Sequence, residues 1–142
     1  MDYMLDASAF IAFLNDEAGA DTVAGLLAHA EDGTDRLFIT SIQVLEVYYD
    51  RIYVKGRDYA DTFLESLYSS SVVILHEVSR DVIREAGRFK TSYSMSLGDT
   101  ILVATAKSNA ATIVSCDHVE LGPVEQQENI PFLWIRAFSP RA

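Results

Sequence analysis

Short apolar runs alternate with longer stretches of helical periodicity, and this alternation constrains the fold more than any other feature of the chain. Tyr3 to Leu5, Leu37 to Ile39, Val72 to Leu75, Thr112 to Ser115 and Phe132 to Ile135 read as strands, with Pro131 tolerated at the start of the last. Helices are predicted between them: Asp21 to Ala30, Ser41 toward Gly56, Tyr59 to Leu67, Ser79 to about Lys90, and Ser96 to about Ser108. Thr40 with Gln43, and Ser96 with Asp99, have the spacing of capping boxes. Asp117 to Asn129 is polar, contains Gly122 and Pro123, and reads as a loop. Strands alternating with helices imply an α/β protein, a mostly parallel sheet of about five strands covered on both faces. The 142 residues fit a single domain over 1–142, long enough to bury a real core.

Composition narrows the class. The formal net charge of −10 argues against nonspecific nucleic-acid binding through a broad basic surface. A polyanionic substrate then needs clustered basic residues or bound cations. The single cysteine, Cys116, excludes an internal disulfide framework and a Cys-x-x-Cys metal site. The N-terminus lacks a basic leader, and no apolar stretch approaches the ~20 residues of a membrane helix. The expectation is a cytoplasmic protein with no membrane partner. No Gly-x-Ser-x-Gly elbow, P-loop or Gly-x-Gly-x-x-Gly is present, so serine-hydrolase, NTPase and dinucleotide readings fall away.

What remains is a set of four acids placed near strand ends. Asp6 ends the first strand and Asp117 directly follows the fourth. Glu46 lies in the helix after the second strand, and Asp99 in the first turn of the helix before the fourth. In an open parallel sheet, ligands bind beyond the carboxyl ends of the strands, where residues distant in sequence converge. Glu46 falls within a predicted apolar stripe of Ile42, Leu45, Tyr49, Ile52 and Tyr53. A carboxylate there needs a cationic or hydrogen-bonding partner, or a metal. Asp99 shares a face with Leu102, Val103 and Ala106, yet it also fits as the acid that completes a capping box with Ser96. Taken singly, Asp6 and Asp117 read more readily as N-caps or turn formers after strands. The coincidence of all four favours a site.

Weaker candidates surround them. Ser8 and Ser115 lie two residues from Asp6 and Asp117, placed to support a metal site or to cap a helix. Glu120 joins the cluster or stays a solvated acid. His29, His76 and His118 show no metal-ligand spacing. Tyr48, Tyr49 and Tyr53 read as core or interface. Several carboxylates forced together raise one another's pKa values unless a cation intervenes. All-oxygen ligands select Mg²⁺ or Mn²⁺, which activates water and neutralises charge on a phosphodiester. The expectation is a metal-dependent nuclease. The alternatives are another Mg²⁺-dependent phosphoryl-hydrolysing enzyme on a similar sheet, or a catalytically silent binding module. A phosphatase of the haloacid-dehalogenase type wants Asp-x-Asp after the first strand, where this chain has Asp6 and Ser8.

The motifs also carry a resemblance. Met4 to Leu14 resembles the start of a PIN domain, particularly of VapC-type toxins. Thr40 to Tyr49 resembles that family's second acidic motif, Ser96 to Lys107 its third, and Ile113 to Asp117 its fourth. Ser115, Cys116 and Leu121 stand where many members have Thr, a small residue and Phe. The resemblance implies a Rossmann-like parallel sheet and a Mg²⁺- or Mn²⁺-dependent endoribonuclease. It implies catalytic and metal-binding roles for Asp6, Glu46, Asp99 and Asp117. It further implies a homodimer and a cognate antitoxin whose C-terminal segment covers the acidic groove. Arg51, Lys55 and Arg57, at the far end of the Glu46 helix, are the candidates for RNA-phosphate contacts.

Overall fold

The computed structural model describes residues 1–139, and a parallel sheet organises them. In chain order the elements are β1 (Asp2–Leu5), α1 (Ala7–Leu14), α2 (Ala20–Asp32), β2 (Arg36–Thr40), α3 (Ser41–Lys55), α4 (Arg57–Tyr68), β3 (Val73–Leu75), α5 (Arg80–Ser92), α6 (Leu97–Ser108), β4 (Thr112–Ser115), α7 (His118–Gln127) and β5 (Phe132–Trp134). The spatial strand order is β3-β2-β1-β4-β5, and every pairing is parallel. The chain starts in the middle, winds outward through β2 and β3, then returns to β4 on the other side of β1. That reversal opens a crevice at the carboxyl ends of β1 and β4, the ligand position of doubly wound sheets.

Strand alternation divides the core into two layers. Leu5, Ile39 and Val114 point to one face, with Phe10, Val23, Val47 and Phe63 from α1 to α4. Met4, Phe38 and Ile113 point to the other, with Val82, Phe89, Leu102 and Leu121 from α5 to α7. Both faces of the sheet are thus covered, as near-continuous apolar strands require.

Two local expectations are corrected. Residues expected to form a loop after Asp117 form α7 instead, although Pro123 lies inside it. An interior proline costs about 3 kcal/mol. Leu121 and Val124, one helical turn apart and fully buried, offset that cost, and the Asp117 side chain caps the helix by accepting the Glu120 N–H at 3.2 Å. The second correction concerns α3. Leu45, Tyr49 and Tyr53 of the expected buried stripe are exposed. The buried face, on nearly the opposite side of the helix, holds Gln43, Val44, Val47 and Arg51. Helical spacing shows that residues share a face; it does not show which face meets the sheet.

Arg51 is the largest side chain sealed in the core, fully buried rather than on the surface where phosphate contact was expected. Its Nη2 donates to Asn15 Oδ1 at 2.8 Å and to Asp50 Oδ2 at 2.7 Å. Nη1 has no partner among the described residues. The aliphatic stem fills volume between α3 and the end of α1, while the ion pair satisfies only part of the head. Arg51→Ala is expected to destabilise the chain by about 3 kcal/mol, because it empties a fully packed volume. Arg51→Met keeps most of the volume and removes the buried, partnerless Nη1, so urea unfolding should show it losing less than half as much.

Candidate active site

The carboxyl ends of β1 and β4 bring the acids into one cleft of about 390 Å³. Asp6, Glu46, Asp99, Asp117 and Glu120 all line it, together with Ser8, Tyr49, Asp50 and Ser96. The tightest group is Asp99, Asp117 and Glu120, which bring one carboxylate oxygen each to within 4.8 Å of one another. Among the described residues, no Lys, Arg or His side chain lines the cleft.

Asp6 precedes α1 at the N-cap position, but its side chain makes no cap bond. Its Oδ2 instead accepts two hydroxyl hydrogen bonds, from Ser8 and from Ser115, both at 2.7 Å. Ser115 Oγ also receives the Asp117 N–H at 3.0 Å, and Ser8 Oγ the Cys116 N–H at 3.3 Å. The two serines therefore tie the end of β1 to the end of β4 and leave Asp6 Oδ1 outside this network. Ser8 and Ser115 act on Asp6, and neither is a helix cap.

Asp99 resolves its two readings in the same way. Ser96 Oγ accepts the Asp99 N–H at 3.2 Å, as in a capping box. The reciprocal bond, however, comes from another helix: Glu120 Oε1 accepts the Ser96 N–H at 2.6 Å. Glu120 thus does the capping that the spacing assigns to Asp99, and the Asp99 carboxylate is left to the cleft, 7% exposed.

Glu46 sits at the edge of the buried face of α3. Gln43, fully buried one turn earlier, donates its Nε2 to Gly98 O at 2.9 Å and to Glu46 Oε1 at 3.4 Å. A methyl group on Gly98 would lie 2.5 Å from Glu46 Oε1. Gly98 lets α6 approach the carboxylate, and Gln43 ties the two helices there. Sequence reasoning missed both residues. The signal available was a glycine inside a helix, which costs about 1 kcal/mol against alanine and so calls for a packing reason.

Electrostatics follow from this packing. Burial raises the Asp6 pKa, the two serine hydrogen bonds partly oppose the rise, and the Asp117 charge adds to it. Burial and the Asp6 charge raise Glu46. Burial, then the charges of Asp6 and Glu120, push Asp99 up to about 8. Hard oxygen donors held together without a cationic side chain fit a divalent ion of the Mg²⁺ type. Of the expected phosphate contacts, Arg51 is buried, and neither Lys55 nor Arg57 lines the cleft. Lys55 lies over the Tyr59 ring at 5.9 Å.

With fold and site described, the class is a doubly wound α/β protein carrying an acidic cleft at its topological switch point. The PIN domain family model matches residues 3–119, and the chain belongs to that family. No curated protein matches it in sequence. Among solved structures, it is similar to VapBC2 from Rickettsia felis bound to a promoter DNA fragment, with a TM-score of 0.73, 19% identity, and coverage of 94% of this chain and 98% of that one. DNA-bound VapBC from Salmonella typhimurium gives a TM-score of 0.72 at 15% identity, covering 96% and 99%. Mycobacterium tuberculosis VapC20, described as a sarcin-ricin loop cleaving toxin, gives 0.67 at 14% identity, covering 85% and 94%. At these identities the likeness is one of fold.

Raised carboxylate pKa values mean that the folded state holds more protons than the unfolded state, from the ordinary 3.8 up to about 8 for Asp99. Their contribution to stability is complete below that window and is lost as pH rises through it. The metal-free melting temperature should therefore fall more steeply between about pH 6 and about pH 8 in the wild type than in Asp99→Asn. Mn²⁺ should raise it more at the higher pH. Differential scanning fluorimetry reads both slopes, and equal slopes would contradict the electrostatic account.

Proposed function

We propose that this chain is a Mg²⁺- or Mn²⁺-dependent endoribonuclease, the toxin of a type II toxin–antitoxin pair. The observation that carries the reading is the cleft itself, lined by carboxylates with no cationic side chain among the described residues. Such a cleft repels a phosphodiester until a cation enters it.

Asp6, Glu46, Asp99 and Asp117 would hold the ion, with Glu120 as a supporting acid. A bound divalent ion supplies charge neutralisation at the phosphate and activation of a water. The chain's own residues do the rest. Ser8 and Ser115 hold Asp6 in one orientation, and Gln43 and Gly98 hold Glu46 against α6. Glu120 fixes the start of α6, and with it the position of Asp99. Supporting bonds of this kind fix ligand geometry at metal sites. RNA is the favoured substrate because the chain shares the fold of a sarcin-ricin loop cleaving toxin. Lys55 and Arg57, both exposed, remain candidates for phosphate contacts.

Partners follow from two apolar surfaces. Phe10, Phe13, Leu27, Phe63, Leu67 and Val72 line a groove of about 210 Å³, which suits an antitoxin segment. Leu45, Tyr49 and Tyr53 form an exposed stripe on α3, with the two tyrosines edge to face at 6.4 Å, which suits a homodimer contact. Among the described residues, no helix is long and apolar enough to cross a membrane, in keeping with a cytoplasmic toxin.

Purified protein is expected to cut single-stranded RNA with Mn²⁺ or Mg²⁺ and to stop when EDTA is added. Asp6→Asn and Asp99→Asn should each lower the rate more than about 100-fold, above the cost of removing a supporting bond at a metal site. Circular dichroism should show both variants folded. Wild-type cleavage by either variant, or cleavage that persists in EDTA, would refute the site.

A further inference from the structure

A second cavity shares Asp117 with the acidic cleft, and nothing in the proposed catalytic scheme uses it. It measures about 520 Å³, within the range of small-molecule sites. His118, Arg136, Phe138 and Cys116 line it beside Asp117. Its walls are rigid on one side. The His118 ring stacks on Trp134 at 3.9 Å, Trp134 stacks on Phe132 at 4.9 Å, and the Trp134 indole N–H donates to Glu125. His118 Nε2 pairs with Arg136 O at 2.8 Å, which fixes the ring further. Arg136 is held as well: its Nη1 donates to Glu17 Oε1 and to Ala18 O, both at 3.2 Å. Phe138 lies beside His118 with ring centroids 5.6 Å apart, and is 53% exposed.

We infer that this cavity is a nucleobase subsite, which takes the base of a nucleotide adjoining the scissile phosphate. The inference rests on the nuclease reading and deepens it. Unpaired bases are bound by stacking on aromatic rings and on guanidinium planes, and this cavity offers the exposed Phe138 ring and the Arg136 guanidinium. Its position also fits. Asp117 borders both spaces, so a strand whose phosphate lies in the acidic cleft places a neighbouring nucleotide at this opening. The charge balance points the same way. A chain of net charge −10 cannot draw its RNA affinity from a general basic surface, so stacking and a local cation must supply it. Arg136, ion-paired with Glu17 on one side, is a cation in the cavity that Asp117 shares with the cleft, where Arg51 is buried and Lys55 and Arg57 line neither space.

The test pairs protein variants with substrate variants. The substrates are a short single-stranded RNA with a mapped cut, and the same RNA with one abasic ribose placed in turn on each side of that cut. Phe138→Ala is expected to lower kcat/KM on the intact RNA about tenfold, mainly through KM, the size of one lost stacking contact. Phe138→Tyr should restore it, and Arg136→Gln should weaken it. An abasic ribose at one of the two positions should cost the wild type a similar factor and cost Phe138→Ala nothing further. The inference is overturned if Phe138→Ala matches the wild type, or if its loss is the same on intact and abasic RNA. It is equally overturned if Phe138→Ala leaves RNA cleavage intact but releases inhibition by a bound protein, since the cavity is then a protein-docking site. If the wild type cuts no RNA with Mn²⁺, the nuclease reading fails first. Fluorescence anisotropy with the labelled RNA then decides the subsite alone: weaker binding by Phe138→Ala supports it, and equal binding overturns it.

Discussion

Two serine hydroxyls on one oxygen of Asp6 hold the site together. Ser8 comes from the start of α1 and Ser115 from the end of β4, so their bonds join adjacent parallel strands at their carboxyl ends. The arrangement depends on β1 and β4 being neighbours, which in turn depends on the chain starting at the centre of the sheet. Once those strands pair, Asp117 follows within two residues of Ser115, and α7 brings Glu120 to cap α6. Asp117 thus caps the helix that carries Glu120, and Glu120 in turn caps the helix that carries Asp99.

The electrostatic cost of this arrangement is large and unbalanced among the described residues. Burial and mutual repulsion raise the pKa values of Asp6, Glu46 and Asp99 together, and no cationic side chain answers them in the cleft. Elsewhere the acids among the described residues are either paired, as Asp2 with Arg36, Glu85 with Arg88 and Lys107, and Glu128 with Arg88, or exposed to solvent. The contrast singles out the cleft. Under the proposed function, a bound cation would relieve the cost retained there, and perturbed carboxylates do cluster at sites of chemistry. On the proposed reading, a cation bound in the cleft would supply the local attraction for an anionic substrate that a net charge of −10 does not.

The strand–helix alternation and the four acids were legible in the sequence because both are local patterns. Strand runs such as Thr112 to Ser115 need no tertiary knowledge, and the Ser96 cap reads directly from its hydroxyl. What stayed hidden was tertiary. The spacing of Ser96 and Asp99 indicates a capping box, but only the fold shows Glu120 supplying the reciprocal bond. Pro123 argues against α7 locally, and buried Leu121 and Val124 override it. The sequence of α3 does not reveal its buried face, because the exposed side is as apolar as the buried one. A fully buried Arg51 runs against every compositional rule, and Gln43, buried and polar, gives no sequence sign that it ties Glu46 to α6.

Everything proposed for the cleft requires that its acids form a divalent-metal site. Diffraction from crystals soaked in Mn²⁺, recorded near the manganese absorption edge, tests it most directly. The predicted result is an anomalous peak in the cleft, about 2.1 Å from the free oxygen of Asp6 and from a carboxylate oxygen of Asp99 or Asp117. A cleft with no peak at saturating Mn²⁺, or a peak that avoids Asp6, would contradict it.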